Sequence, residues 1–124
     1  MSPRDFFHEK HIVLVDDEEI SLNVSCYLLE SLGADLTTFS DPLEAIEYCR
    51  KWHADIDILL LDVVMPMLSG LEFARQLRTL NLGLPIIGLS ANNSDIDRQE
   101  CLTHGMTALL TKPLRASDLV ALLS

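Results

Sequence analysis

Five short apolar runs recur along the chain, IVLV at 12–15, LTTF at 36–39, ILLL at 58–61, IIGL at 86–89 and ALL at 108–110, and a longer segment of helical spacing follows each. Runs this short suit strands, whereas the segments between them repeat apolar residues every three or four positions. Ile20, Val24, Tyr27, Leu28 and Leu32 form the first such stripe, closed by Gly33 as a C-terminal cap. Ala45, Ile46 and Cys49 follow Pro42, which occupies a first-turn position, and Phe73, Ala74 and Leu77 make a third helix. Ser94 with Asp97 reads as the N-terminal cap of a fourth helix ended by Gly105, and Leu119, Val120 and Leu123 mark a fifth. Strict alternation of strand and helix implies a parallel sheet covered by helices on both faces, with right-handed crossovers. ILLL and IVLV are continuously apolar, as central strands are, while LTTF and TALLT are more polar and suit the two edges.

These features predict an α/β doubly wound, flavodoxin-like fold: a five-stranded parallel sheet of order 2-1-3-4-5 flanked by five helices. With 124 residues, 48% of them hydrophobic, the chain supports one core. Residues 11–124 are expected to form the domain, with 1–10 as an N-terminal tether. No run approaches the roughly 20 apolar residues of a membrane span, and MSPRDFFHEKH lacks the apolar stretch of a signal peptide, so a cytoplasmic location without membrane insertion is expected. Cys26, Cys49 and Cys101 are widely spaced within helical patterns and read as reduced thiols. A formal net charge of −10 opposes direct DNA binding, which rests on lysine and arginine contacts to phosphates.

In such a fold ligands bind at the carboxyl ends of the strands, where the strand order reverses between strands one and three. Asp16 and Asp17 of VLVDDEE stand at the end of strand one, and Asp62 ends strand three. Carboxylates brought together there repel one another unless a cation sits among them, and an all-oxygen donor set favours magnesium, or manganese, over zinc. Any one of these aspartates alone reads as a helix cap; three converging do not. Strand four ends in Ser90 and strand five runs into Lys112, so a hydroxyl and an ammonium reach the same rim and complete a site for a tetrahedral dianion. Asp62 needs no neighbouring base, since a carboxylate ionised at neutral pH is itself a nucleophile toward phosphorus.

The chain resembles the receiver domain of two-component response regulators from His11 to Leu123, carried by Asp16-Asp17, DVVMPMLSG around Asp62, Ser90, and Lys112-Pro113. The resemblance implies a signalling switch rather than an enzyme. It makes Asp62 the phosphoacceptor, taking a phosphoryl group from a phosphohistidine on a partner. Asp17 would bind magnesium directly and Asp16 mainly through water, with the Val64 backbone carbonyl as a further ligand. Ser90 would hydrogen-bond one phosphoryl oxygen, Lys112 would pair with another, and the Lys112–Pro113 peptide would be cis. Val64 and Asn92 flank the site, where they would tune hydrolysis by controlling water access.

One position departs from the family pattern. Three residues before Lys112 the family places a switch aromatic, and this chain has Leu109, which has no ring to expose or hide. The fourth helix, anchored by Ile96 and Cys101 alone, is expected to move most on phosphorylation. A homodimer would use the face of helix four, strand five and helix five. The first-helix segment DDEEISLNVSCYLLESLGA is similar to receivers of hybrid sensor kinases, so a histidine kinase or histidine-phosphotransfer protein would dock near helix one, with Ile20, Asn23 and Val24 as contacts. A chain ending at Ser124 points away from a downstream DNA-binding effector and leaves a free-standing receiver or the cytoplasmic portion of a membrane-bound sensor kinase. Two rivals share the architecture. An aspartyl-phosphate-type phosphohydrolase needs an acid two residues beyond the nucleophile, where this chain has Val64; a pseudo-receiver that binds partners without phosphorylation would not need the intact site set.

Overall fold

The computed structural model describes residues 7–91 and 94–123 of the chain. Its elements run β1 (His11–Val15), α1 (Glu19–Ser31), β2 (Asp35–Phe39), α2 (Pro42–Trp52), a 3-10 turn (His53–Asp55), β3 (Ile58–Asp62), α3 (Gly70–Thr79), β4 (Ile86–Ser90), α4 (Asp95–Thr103), β5 (Ala108–Thr111) and α5 (Ala116–Leu123). The five strands are parallel in the order β2-β1-β3-β4-β5, as the alternation and strand compositions require. Every residue of β3 is buried, whereas no residue of the edge strand β2 is. Continuous apolarity therefore marks strands with helices on both faces.

The sheet separates two cores. Val13, Val15, Leu59, Leu61 and Ile86 face α2 and α3, where Ala45, Cys49, Phe73, Ala74 and Leu77 meet them. Ile12, Leu14, Leu60, Ile87 and Leu89 face α1 and α5, against Leu29 and Leu119. Strand alternation allocates side chains to these layers. Asp41, Ser69 and Ser94 each accept a backbone N–H at the start of α2, α3 and α4, and Pro42 occupies the first turn of α2. Gly33 and Gly105 adopt positive φ (84° and 97°) just past α1 and α4, the left-handed turns that end those helices.

Three expectations need correction. The stripe Ile20, Val24, Tyr27, Leu28 and Leu32 faces the core only in part: Leu28 and Leu32 pack against it, whereas Ile20, Val24 and Tyr27 are exposed and α1 buries Ser25 and Leu29 with Leu22 and Cys26 beside them. Ile96 is 79% exposed and anchors nothing, which leaves Cys101 as the only buried residue of α4. The proposed tether is shortened at Phe7, which is fully buried in the second core, while Lys10 and Glu9 donate backbone hydrogen bonds to Phe7 and Gly33. Residues 7–10 thus belong to the folded domain. Among the described residues no helix is long and apolar enough to cross a membrane.

Candidate functional site

Four parallel strands end at one rim. β1 delivers Asp16 and Asp17 immediately after Val15, β3 ends on Asp62, β4 ends on Ser90, and Lys112 follows Thr111 at the end of β5. The ladder aligns them, since Asp62 pairs with Leu89 and Ser90 with Thr111. Asp17, Glu18, Asp62, Val64, Ser90, Ala91 and Lys112 line a cleft of about 470 Å³. Asn92, expected to flank the site, lies outside the described residues.

Local backbone bonds fix the carboxylates. The Glu18 N–H donates to Asp16 Oδ1 at 3.0 Å and the Val64 N–H to Asp62 Oδ1 at 3.2 Å, each a turn formed by the aspartate two residues back. Behind Asp62, the Val63 N–H bonds the Leu89 carbonyl and the Gly70 N–H bonds the Val63 carbonyl, so the loop from β3 to α3 is pinned on both sides. The Lys112–Pro113 peptide is cis.

A carboxylate oxygen from each of Asp16, Asp17 and Asp62 lies within 4.8 Å of the others. Asp16 is 1% exposed and Asp62 6%, while Asp17 faces solvent. Lys112 Nζ stands 3.1 Å from Asp16 Oδ2 and 3.2 Å from Asp62 Oδ2, one cation between two buried anions. Asp16 Oδ2 has no partner of hydrogen-bonding geometry despite that proximity. Its pairing with Lys112 is therefore electrostatic, and a lone pair is left for a further ligand. The unsatisfied oxygen and the all-carboxylate donors fit a hard divalent cation such as magnesium.

The electrostatics follow from the crowding. Burial, then the adjoining Asp16 carboxyl, raises Asp62 to about 6 against the pull of Lys112. Burial acts on Asp16 in the same direction, but hydrogen bonds from Ser21 and the Glu18 N–H, with Asp62 and Lys112 beyond them, outweigh it and hold Asp16 below the usual carboxylate range. Burial would lower Lys112, yet the two aspartates keep it raised and charged.

Because Asp62 binds its proton more tightly in the folded chain than in the unfolded one, its burial favours folding at low pH. That contribution is lost as pH rises from about 4 through about 6. In metal-free protein, Asp62→Asn is therefore expected to raise stability by about 1–2 kcal/mol above pH 7, a few degrees in Tm, and to give no gain near pH 4. Thermal denaturation of both proteins across that range checks the sign. A gain that persisted at pH 4 would assign the effect to packing instead.

The structure brings Asp17, Asp62, Val64, Ser90 and Lys112 to the wall of one cleft, with Asp16 buried beside Asp62 and Lys112. Sequence reasoning did not single out Glu18 on the cleft wall or the exposed Met67 in the loop after β3, which has a positive φ of 68°. Glu18 had a signal available: the third acid of DDEE falls where the first helix needs a cap.

The family profile described as "Response regulator receiver domain" matches residues 12–124. The chain is 39% identical over 103 residues to the sensor histidine kinase RcsC of Escherichia coli K12, covering 83% of this chain and 11% of that protein. It is 36% identical over 112 residues to the alkaline phosphatase synthesis transcriptional regulatory protein PhoP of Bacillus subtilis, covering 90% of this chain and 46% of that one. It therefore spans about a tenth of the sensor kinase and under half of the regulator. Among solved structures, the Vibrio cholerae chemotaxis protein CheY4 superposes with a TM-score of 0.81 at 28% identity, covering 93% of this chain and 96% of that one. The fold also matches, at 23% identity and a TM-score of 0.81, the receiver of Ssk1 solved with the histidine phosphotransfer protein Ypd1 of Saccharomyces cerevisiae, over 92% of this chain and 86% of that one. The profile covers nearly the whole chain and the two sequence relatives share its sequence at 39% and 36% identity, and the chain belongs to the response regulator receiver domain family of two-component signalling.

Proposed function

We infer that this receiver is a phosphoacceptor switch in which Asp62 takes a phosphoryl group from a phosphohistidine on a partner protein. The observation that carries the reading is the convergence of Asp16, Asp17 and Asp62, with an unsatisfied buried oxygen, beside Lys112. Asp16, Asp17, Asp62 and the Val64 carbonyl are the groups to hold magnesium, and manganese suits the same oxygens. When bound, the ion supplies electrostatic stabilisation of charge on the transferring phosphoryl group. The chain's own residues do the rest. Asp62 attacks phosphorus in line as the bond to the donor nitrogen breaks, Lys112 neutralises one phosphoryl oxygen, and the Ser90 hydroxyl donates to another. The product places about two negative charges where Asp62 held one, which draws Ser90 and Lys112 toward the new oxygens.

The exposed apolar residues of α1 support docking by a histidine kinase or histidine-phosphotransfer protein. Ile20 and Val24 occupy one stripe with Asn23 alongside, and Val64 and Met67 are exposed in the loop from β3 to α3. Val24, at 54% exposure, is available as a contact rather than spent in the core. The phosphohydrolase alternative lacks an acid at the second residue after Asp62, where the exposed Val64 side chain cannot donate a proton.

Incubation with acetyl phosphate and magnesium, followed by intact-mass measurement, tests the reading. One phosphoryl addition is expected, absent without the ion and absent in Asp62→Asn. Multiple turnovers of phosphoesters would support the hydrolase, and no addition to the wild-type chain would support a phosphorylation-independent binding module.

A further inference from the structure

We propose that Glu18 is a specificity-determining residue of the cleft, a fixed negative charge that slows phosphorylation by small dianionic donors free in solution. The inference rests on the phosphoacceptor reading of Asp62 and concerns which donors that site accepts.

Glu18 occupies the N-cap position of α1, yet its side chain makes no capping hydrogen bond. Helix N-caps prefer short side chains whose oxygen reaches the next turn, as Asp41, Ser69 and Ser94 do in this chain. Glutamate is too long for that task. The Glu18 N–H bonds Asp16 Oδ1, which holds its backbone beside the acidic cluster, and no capping bond ties its carboxylate to the helix. Glu18 lines the cleft with Asp17, Asp62, Val64, Ser90, Ala91 and Lys112, and it also lines the adjoining groove with Ser21, Val24, Ser25, Lys112, Pro113 and Leu114. Among the described residues only Glu18 and Lys112 are common to both, so the two opposite charges stand where the groove opens into the cleft.

The charge count decides the sign. Asp16, Asp17 and Asp62 against Lys112 and a divalent ion sum to zero, and Glu18 makes the filled site negative. A dianion such as acetyl phosphate is repelled by that excess. A phosphoryl group carried on a docked protein meets the same charge, but contacts along α1 offset the repulsion. At separations of several ångströms across water-exposed space, one charge opposing a dianion is worth roughly a two- to fivefold change in rate at low ionic strength, and it fades when the Debye length shrinks to about 3 Å at 1 M salt. The step itself is unaltered: the bond from phosphorus to the acetate oxygen breaks, the bond to Asp62 forms, and acetate leaves.

The experiment compares wild type, Glu18→Gln and Glu18→Asp at saturating magnesium, with acetyl phosphate and with phosphoramidate, which carries one negative charge fewer at neutral pH. Phosphorylation is read by intact mass at low and high salt. Glu18→Gln is expected to react roughly two- to fivefold faster with acetyl phosphate at low salt, less so with phosphoramidate, with the gain lost near 1 M salt. Glu18→Asp keeps the charge but is short enough to cap α1 as Asp41 caps α2, so it is expected to fall between wild type and Glu18→Gln, and calorimetry is expected to show slightly weaker magnesium binding by Glu18→Gln. Equal rates for Glu18→Gln and wild type, or a gain independent of both salt and donor charge, would overturn the proposal while leaving the acceptor reading intact. A wild-type chain that takes up no phosphoryl group would overturn both.

Discussion

Lys112→Met is expected to destabilise the metal-free protein by about 3 kcal/mol near pH 8, which lowers Tm by on the order of 10 °C. The ammonium is 3.1 Å from Asp16 and 3.2 Å from Asp62, both buried, and no other cation pairs with either of them among the described residues. Methionine preserves most of the packing volume but leaves two carboxylates facing each other with their mutual repulsion uncompensated. Removing one partner of a buried pair costs far more than the pair itself contributes, because the remaining charge stays desolvated. The pH dependence identifies the cause. Asp62 already titrates upward to about 6, and losing Lys112 removes the influence that lowers it, so below that pH a carboxyl takes a proton and much of the deficit closes. Two further changes should restore stability at high pH: saturating magnesium, which supplies positive charge, and the double variant with Asp62→Asn, which removes one anion. Urea denaturation across pH for the four proteins gives the coupling directly. A deficit indifferent to pH, to magnesium and to Asp62→Asn would show that Lys112 acts through packing alone.

The same cleft shows what was legible in the sequence. A βα alternation constrains the strand order, and the strand order alone brings residues 16, 17, 62, 90 and 112 to one rim, because every parallel strand points its carboxyl end the same way. No side-chain geometry is needed for that step. The distances that turn proximity into chemistry are another matter. That Lys112 bridges two buried carboxylates, yet meets Asp16 Oδ2 outside hydrogen-bonding geometry, depends on fractions of an ångström set by backbone turns at Glu18 and Val64.

Helix rotation was the part that hydropathy could not resolve. α1 carries two apolar stripes at the same period, one through Ile20, Val24 and Tyr27 and another through Leu22, Cys26 and Leu29, and periodicity cannot say which faces the sheet. In the structure Ser25 and Leu29 are buried, so the side of α1 that carries them faces the sheet. Of the stripe left outside, Val24 lines the groove that shares Glu18 and Lys112 with the cleft. Ile96 repeats the lesson on α4: an apolar residue at helical spacing is compatible with either side. Phe7 was missed for a different reason, being a single aromatic position in a polar segment with no period to extend.

Gly70→Ala is expected to cost about 3 kcal/mol, roughly 10 °C in Tm, and to weaken magnesium binding and phosphoryl uptake together. Gly70 opens α3 and packs against the backbone that holds Asp62. A methyl group built there would collide with the Asp62 carbonyl oxygen and stand 2.8 Å from Val63 Cα. Those are main-chain atoms, so no side-chain rotation relieves the overlap. The loop can yield only by breaking the 2.9 Å bond from the Gly70 N–H to the Val63 carbonyl, and with it the position of the Val64 carbonyl and the Asp62 side chain. Helix propensity would favour alanine by up to about 1 kcal/mol at an interior position, which makes a net loss diagnostic of the contact rather than of the helix. Gly83→Ala provides the internal control, because a methyl group there meets nothing within 4 Å, and it should change stability by less than about 0.5 kcal/mol. Thermal denaturation with calorimetric magnesium titration reads both consequences. If Gly70→Ala matched wild type in stability while binding magnesium normally, the close approach of α3 to the Asp62 backbone would not be what fixes the acceptor in place.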